Sequence, residues 1–228
     1  MTKTRFYESF WVATGLTLLS YIVGLAFGWF DVSALSPLEV AAVHTSYMCT
    51  YLCVHQTRWN YPIGILTTFL YSWLFFKWEM YAIALFNLYL VGSQLYGWFR
   101  WGSDEYSLPV TRVVRVWWLG YALLGLGIWA LLITINYVFG VTITNVEIII
   151  TVLSGVAQFL LDNKKLETWQ FWFVVNVLSI WFYFQGGLYL VGFQYIFFLM
   201  NTIYGYTMWH RSVTKVIPTD EIEWNSAQ

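Results

Sequence analysis

Tyr96-Gly97-Trp98-Phe99-Arg100-Trp101 and Tyr204-Gly205-Tyr206-Thr207-Met208-Trp209 carry one Tyr-Gly-x-x-x-Trp signature, so that Tyr96 finds its counterpart in Tyr204. The same spacing persists upstream. With residues 36–101 laid on residues 144–209, identities also fall at Glu39/Glu147, Ser46/Ser154, Leu52/Leu160, Leu70/Leu178, Trp73/Trp181, Phe76/Phe184 and Tyr81/Tyr189. Both stretches open on a capping-box pattern, Ser36-Pro37-Leu38-Glu39 and Thr144-Asn145-Val146-Glu147. In such a box the hydroxyl accepts from an unpaired helix N–H and the Glu three residues on reaches back. Pro37 falls at the first helical position, where its missing donor costs nothing. The chain reads as two copies of one helical unit, and a fixed period of this kind governs the whole fold.

Composition says where that fold must live. Of the 228 residues, 59% are hydrophobic and only 10% charged. Soluble domains carry about 25% charged residues, so this chain cannot cover a soluble surface and is not a disordered one. A net charge of −1 offers no basic footprint for nucleic acid. Aromatic residues reach 22%, a load suited to interfacial belts and stacking sites. Cys49 and Cys53, four apart in an apolar run, read as packing residues on one helix face.

Eight apolar runs approach the roughly 20 residues needed to cross hydrocarbon: Phe10–Phe30, Leu38–Val54, Tyr61–Phe76, Tyr81–Phe99, Val113–Phe139, Val146–Leu161, Phe171–Phe184 and Leu188–Trp209. The basic residues test that number. With the N-terminus inside and eight crossings, the cytoplasmic segments hold ten of the eleven Lys and Arg residues, and only Lys77 falls outside. Both termini are therefore expected in the cytoplasm. The first run exceeds a signal-peptide core and is expected to stay in place; Asp31-Val32-Ser33-Ala34 is a weak cleavage candidate. The polar end beyond Lys215, with Asp220, Glu221 and Glu223, reads as a solvated tail.

The expectation is an all-α integral membrane protein with eight transmembrane helices arranged 1+3+1+3. Residues 1–35 hold an extra helix, 36–101 the first three-helix repeat, 102–143 a linker with one helix, 144–209 the second repeat and 210–228 a cytoplasmic tail. Three crossings is an odd number, so the linker helix must return the chain before the second repeat enters in the same direction. Transporters built on parallel repeats hold substrate near the midplane between the halves.

Polar residues inside a membrane are costly and tend to be functional. Asn87 and Gln94 lie seven apart on the fourth crossing, and Gln194 and Asn201 seven apart on the eighth, so each pair shares a face. Amides both donate and accept without charge, which suits a neutral hydroxyl- and amide-bearing group; bridging between helices is the competing reading. Asn176 and Gln158 are further candidates, and Asn60 suits a helix cap. Trp59, Trp98, Trp101, Trp169 and Trp209 cluster toward the inner surface, where interfacial belts account for most Trp. Trp98 and Trp101 share the broad face of Gln94, so a flat heteroaromatic ligand could stack there. His44, His55 and His210 are scattered and form no metal site.

Other chemistries lack the residues they need. No crossing holds a Lys or Arg well inside, and Glu39 and Glu147 belong to helix starts, so no carboxylate proton relay is expected. Neither a phosphate loop nor Gly-x-Ser-x-Gly is present. The chain is expected to be a passive carrier, without enzymatic activity or cofactor.

The segment from Trp59-Asn60-Tyr61-Pro62-Ile63-Gly64 through Leu85-Phe86-Asn87 to Tyr96-Gly97-Trp98-Phe99-Arg100-Trp101 resembles the PnuC family of bacterial vitamin transporters. The likeness continues through Lys164-Lys165-Leu166-Glu167-Thr168-Trp169 and Gly187-Leu188-Tyr189 and covers about residues 37–210. Two positions depart from the family pattern: Ile83 stands where Asp is typical, and Asn87 where Gln is usual. The resemblance implies a 3+1+3 core like a duplicated sugar facilitator of the SWEET type. It implies facilitated diffusion of nicotinamide riboside, trapped inside by phosphorylation, in a homotrimer of the bacterial inner membrane. Thiamine or riboflavin transport, or a binding subunit without flux, are the alternatives. The implied substrate contacts are Trp59, Asn87, Gln94, Tyr96, Trp98, Trp101, Asn176, Gln194 and Asn201.

Overall fold

The structure, a computed structural model, describes residues 2–30, 36–102, 108–140 and 143–213. The Asp31-Val32-Ser33-Ala34 stretch and the tail with Lys215, Asp220, Glu221 and Glu223 lie outside the described residues. Eight α-helices are present among them and no strand: α1 (Thr2–Ala26), α2 (Pro37–Val54), α3 (Asn60–Lys77), α4 (Tyr81–Arg100), α5 (Trp118–Phe139), α6 (Asn145–Asp162), α7 (Thr168–Gln185) and α8 (Tyr189–Val213). A 3-10 turn at Arg115–Trp117 leads into α5. The shortest helices have 18 residues, about 27 Å at 1.5 Å per residue, enough for a hydrocarbon core.

Helix ends differ from the apolar runs where polar groups find partners. The helix α1 begins at Thr2, well before Phe10, because Arg5 pairs with Glu8 at 2.8 Å and Tyr51 donates to Glu8 at 3.0 Å. It ends at Ala26, with Gly28 at φ 65°, short of Phe30. The expected capping box forms at Thr144, which accepts from Glu147 N at 3.2 Å while Thr144 N donates to the Glu147 carboxylate at 2.8 Å. At Ser36 no side-chain cap bond forms.

Residues 3–26, 115–138 and 145–162 are long and apolar enough to cross a membrane on that ground alone. On α5 the apolar side chains point outward; Leu119, Leu123, Leu126 and Leu131 are each mostly exposed. Such a helix is at home against lipid and not against water.

Equivalent turns recur at the repeat spacing. Gln56 (φ 55°) and Lys164 (φ 47°) are left-handed residues just past the ends of α2 and α6, and Glu79 (φ 61°) and Gly187 (φ 73°) play the same part after α3 and α7. Each turn is closed by the crossed backbone pair of a Schellman motif. Thr57 N donates to Leu52 O at 2.9 Å, as Lys165 N does to Leu160 O; Met80 N donates to Phe75 O at 2.9 Å, as Leu188 N does to Tyr183 O. The helices α2, α3 and α4 pack in succession, as α6, α7 and α8 do. Across the middle α2 meets α8 and α4 meets α6, while α1 lies on α2 as α5 lies on α6.

Candidate functional site

Two pairs of rings, each pair related by the repeat spacing, bound the centre of the bundle. At the C-terminal ends of α4 and α8, Trp101 and Trp209 meet at 5.8 Å. Tyr61 stands edge-on to Trp101 at 5.2 Å and 88°, and Trp169 to Trp209 at the same 5.2 Å and 88°. Each buried indole donates across the bundle, Trp101 Nε1 to Leu161 O at 3.2 Å and Trp209 Nε1 to Val54 O at 3.1 Å. A Cβ on Gly97 would collide with the Tyr61 ring, and one on Gly205 with the Trp169 ring, so both glycines are there for close approach. At the opposite end Phe75 stacks on Tyr183 at 6.4 Å and 20°.

Lys164, read from the sequence as an inner-surface charge, is in fact 1% exposed, with Nζ 4.5 Å above the Trp101 ring. Burial pushes its ammonium down to about 8. It therefore belongs to the ring cluster.

Between the ring pairs lies a cavity of about 230 Å³, with a second of about 120 Å³ toward Phe75 and Tyr183. Tyr71, Leu90, Trp172, Tyr195 and Phe198 form their common wall. No Lys or Arg lines either cavity. Two residues that line the larger one hold polar atoms the protein does not pair. Gln94, 7% exposed, has its Oε1 buried without a described partner, and Trp169 has its Nε1 likewise. A buried acceptor and a buried donor left unpaired are each costly unless something else completes them. Trp172 adds an indole that stacks on no described ring. Its counterpart in the first repeat is Gly64, where a Cβ would come within 2.7 Å of Gln94 Oε1. The cavity is thus lopsided, with the Gln94 amide packed on Gly64 at α3 and an indole at α7.

The other candidates divide. Asn176 and Asn201 line the larger cavity, but Asn176 donates to Thr202 at 2.8 Å and Asn201 to Thr50 O at 3.3 Å. Gln194 and Asn87 line the smaller one. Gln194 donates to Ser46 and accepts from Tyr71 at 2.6 Å, a bridge from α8 to α2 and α3. Asn87 donates to Ile83 O at 2.9 Å within its own helix. Trp59, Tyr96, Trp98 and Trp101 line neither cavity. Trp59 is exposed and edge-on to Trp98, which lies 3.6 Å under the Arg58 guanidinium. Tyr96 donates to Asn163 at 3.3 Å on the outside. Trp101 is spent on the ring cluster, because the last turn of α4 carries it past the cavity floor.

Gln158 also lines the larger cavity, as does Asn60, which is not the expected cap: it is the first residue of α3, and its side chain donates to Thr57 O at 2.8 Å in the preceding turn. His44 meets Thr14 at 3.2 Å, joining α2 to α1. Cys49 and Cys53 are unpaired thiols on the cavity wall. Among the described residues no group of three His, Cys, Asp or Glu could hold a metal. Sequence reasoning missed Tyr71, Gly64 and Trp172. The Gly-to-Trp exchange at the repeat spacing was a signal that could have revealed the last two.

A chamber between two ring pairs, walled by amides and indoles and set among membrane-length helices, has the architecture of a carrier for a small solute. The model of the nicotinamide mononucleotide transporter family matches residues 36–211, and the chain belongs to that family. It is a transporter, not an enzyme. Among curated proteins it is similar to the nicotinamide riboside transporter PnuC of Escherichia coli (strain K12), 24% identical over 79% of this chain and 88% of the relative. The PnuC of Neisseria mucosa is 26% identical over 78% of this chain and 73% of its own length. A solved structure, the crystal structure of the vitamin B3 transporter PnuC, shares the fold with a TM-score of 0.72 and 22% identity, covering 89% of this chain and 90% of that one.

Proposed function

We propose that the chain carries nicotinamide riboside across the bacterial inner membrane by facilitated diffusion, with phosphorylation inside the cell trapping the product. The observation that carries this reading is the unpaired Gln94 Oε1 in a cavity walled by Trp172. A ligand carboxamide would donate its N–H to Gln94 and accept from Trp169 Nε1, its hydroxyls would meet Asn176 and Asn201, and its cationic ring would stack on Trp172. The relatives' names point to the same solute. A mononucleotide fits less well, because its phosphate would enter a cavity lined by neither Lys nor Arg.

In this reading the architecture is 1+3+1+3, with both termini in the cytoplasm and residues 36–101 and 144–209 as parallel repeats. The two units rock against each other, and the Trp101–Trp209 and Phe75–Tyr183 pairs part in turn. The ring pairs on the shared spacing support that division. The homotrimer rests on family resemblance.

The test is uptake of labelled nicotinamide riboside into vesicles holding the purified chain, without ATP or an ion gradient. Saturable uptake, with its apparent affinity lowered by Gln94→Leu, is the expected result. Uptake no greater than that of empty vesicles would sink the reading.

A further inference from the structure

Asp162, the last residue of α6, is fully buried and has no place in the function as proposed. Its Oδ1 accepts from the Tyr61 hydroxyl at 3.0 Å and from Gln158 Nε2 at 2.9 Å, and its Oδ2 from the Ser93 hydroxyl at 2.5 Å. All three donors are neutral. Among the described residues the one ion pair is Arg5–Glu8, so no basic side chain answers Asp162. The nearby Lys164 ammonium turns to the Trp101 ring instead. A buried carboxylate with neutral donors alone stays short of a counter-charge.

The cavity is where that counter-charge would come from. Gln158 both lines the cavity and donates to Asp162, and Leu161, the preceding residue, lines it too. The carboxylate therefore stands one side chain behind the wall. The helical unit does not itself require an acid there, since the matching position of the first repeat is Val54. The other acid near the cavities, Glu147, is engaged in the α6 cap.

We infer that Asp162 is the charge-selecting residue of the cavity: it favours a cationic aromatic ring over a neutral ring of the same shape. The inference rests on the carrier reading above and adds to it the source of charge selectivity. Opposite unit charges about 10 Å apart in a protein-like medium give a preference on the order of tenfold.

The experiment compares the affinities of the full-length protein for nicotinamide riboside and for its dihydro form, which has the same substituents on an uncharged ring. The wild type is expected to favour the cation by more than tenfold, Asp162 supplying about tenfold of that. Asp162→Asn keeps the size and the Oδ1 acceptor but removes the charge; it should lower the ratio about tenfold, to the part that stacking on Trp172 supplies, and leave affinity for the neutral form and the melting temperature almost unchanged. Tyr61→Phe removes a hydrogen bond and keeps the charge, so its ratio should stay high. A wild type that binds both forms equally, or an Asp162→Asn variant with the wild-type ratio, overturns this inference alone. A wild type that binds neither form overturns the carrier reading and this inference together.

Discussion

Gln94 Oε1 lies 2.7 Å from the point that a Cβ on Gly64 would occupy, with Cys49 Sγ 3.1 Å from the same point. The bare backbone of α3 is what lets the α4 amide stand in the cavity. The place at the same spacing on α7 is filled by Trp172, so α3 and α7 wall the chamber unevenly. A ligand there would lie toward α3 with its ring on α7.

Gly64→Ala should therefore damage binding more than folding. The added methyl displaces the Gln94 amide, the far end of a flexible side chain that turns aside at little cost to folding. Calorimetric titration with nicotinamide riboside should show at least a tenfold rise in Kd, with the melting temperature nearly unchanged.

Replacing Gln94 and Asn176 should separate ligand contact from helix bridging. Gln94 Oε1 has no described partner, so Gln94→Leu should weaken binding by about 1–3 kcal/mol and leave folding intact. Asn176 is paired with Thr202, so Asn176→Ala should lower the melting temperature as well as affinity. Equal thermal losses in both variants would contradict this division.

Trp172 has no described ring partner to lose. Trp172→Ala should cost about 1–2 kcal/mol in affinity for the cationic riboside, with Trp172→Phe retaining part of it. Titration of both variants under one buffer condition checks the order.

Gly97→Ala and Gly205→Ala should each destabilise the protein by about 1–3 kcal/mol through overpacking against Tyr61 and Trp169. Because the collisions are equivalent, the two losses in thermal stability should be similar. A neutral effect at either position would show that the rings are not fixed.

Lys164 sets a pH dependence. Its folded value of about 8 lies below the ordinary lysine value of 10.5, so the folded state binds fewer protons than the unfolded one between those limits. Stability should rise as pH climbs from about 8 toward 10.5, by up to roughly 3 kcal/mol. Lys164→Met should flatten that rise in a series of chemical denaturations.

Eight helices were legible in the sequence because apolar length and punctuation by Gly, Pro and charge are local properties. So was the spacing at which Tyr96, Gly97 and Trp101 recur as Tyr204, Gly205 and Trp209. The amides on α4 and α8 were visible as costly residues in apolar runs, yet their roles were not, since Asn87 bonds its own helix while Gln94 Oε1 is buried against Gly64 without a partner. Periodicity along one helix says which residues share a face, but not how far a neighbouring helix stands from it. That distance decided that Trp101 joins a ring cluster beyond the chamber, that Trp172 walls the chamber, and that Asp162 is enclosed by Tyr61, Ser93 and Gln158. Sequence by itself determined the number, period and membrane-scale length of the helices, because those follow from local hydrophobicity. Only the packing of one unit on the other decided which polar atoms were left unpaired, because that depends on contacts between residues far apart along the chain.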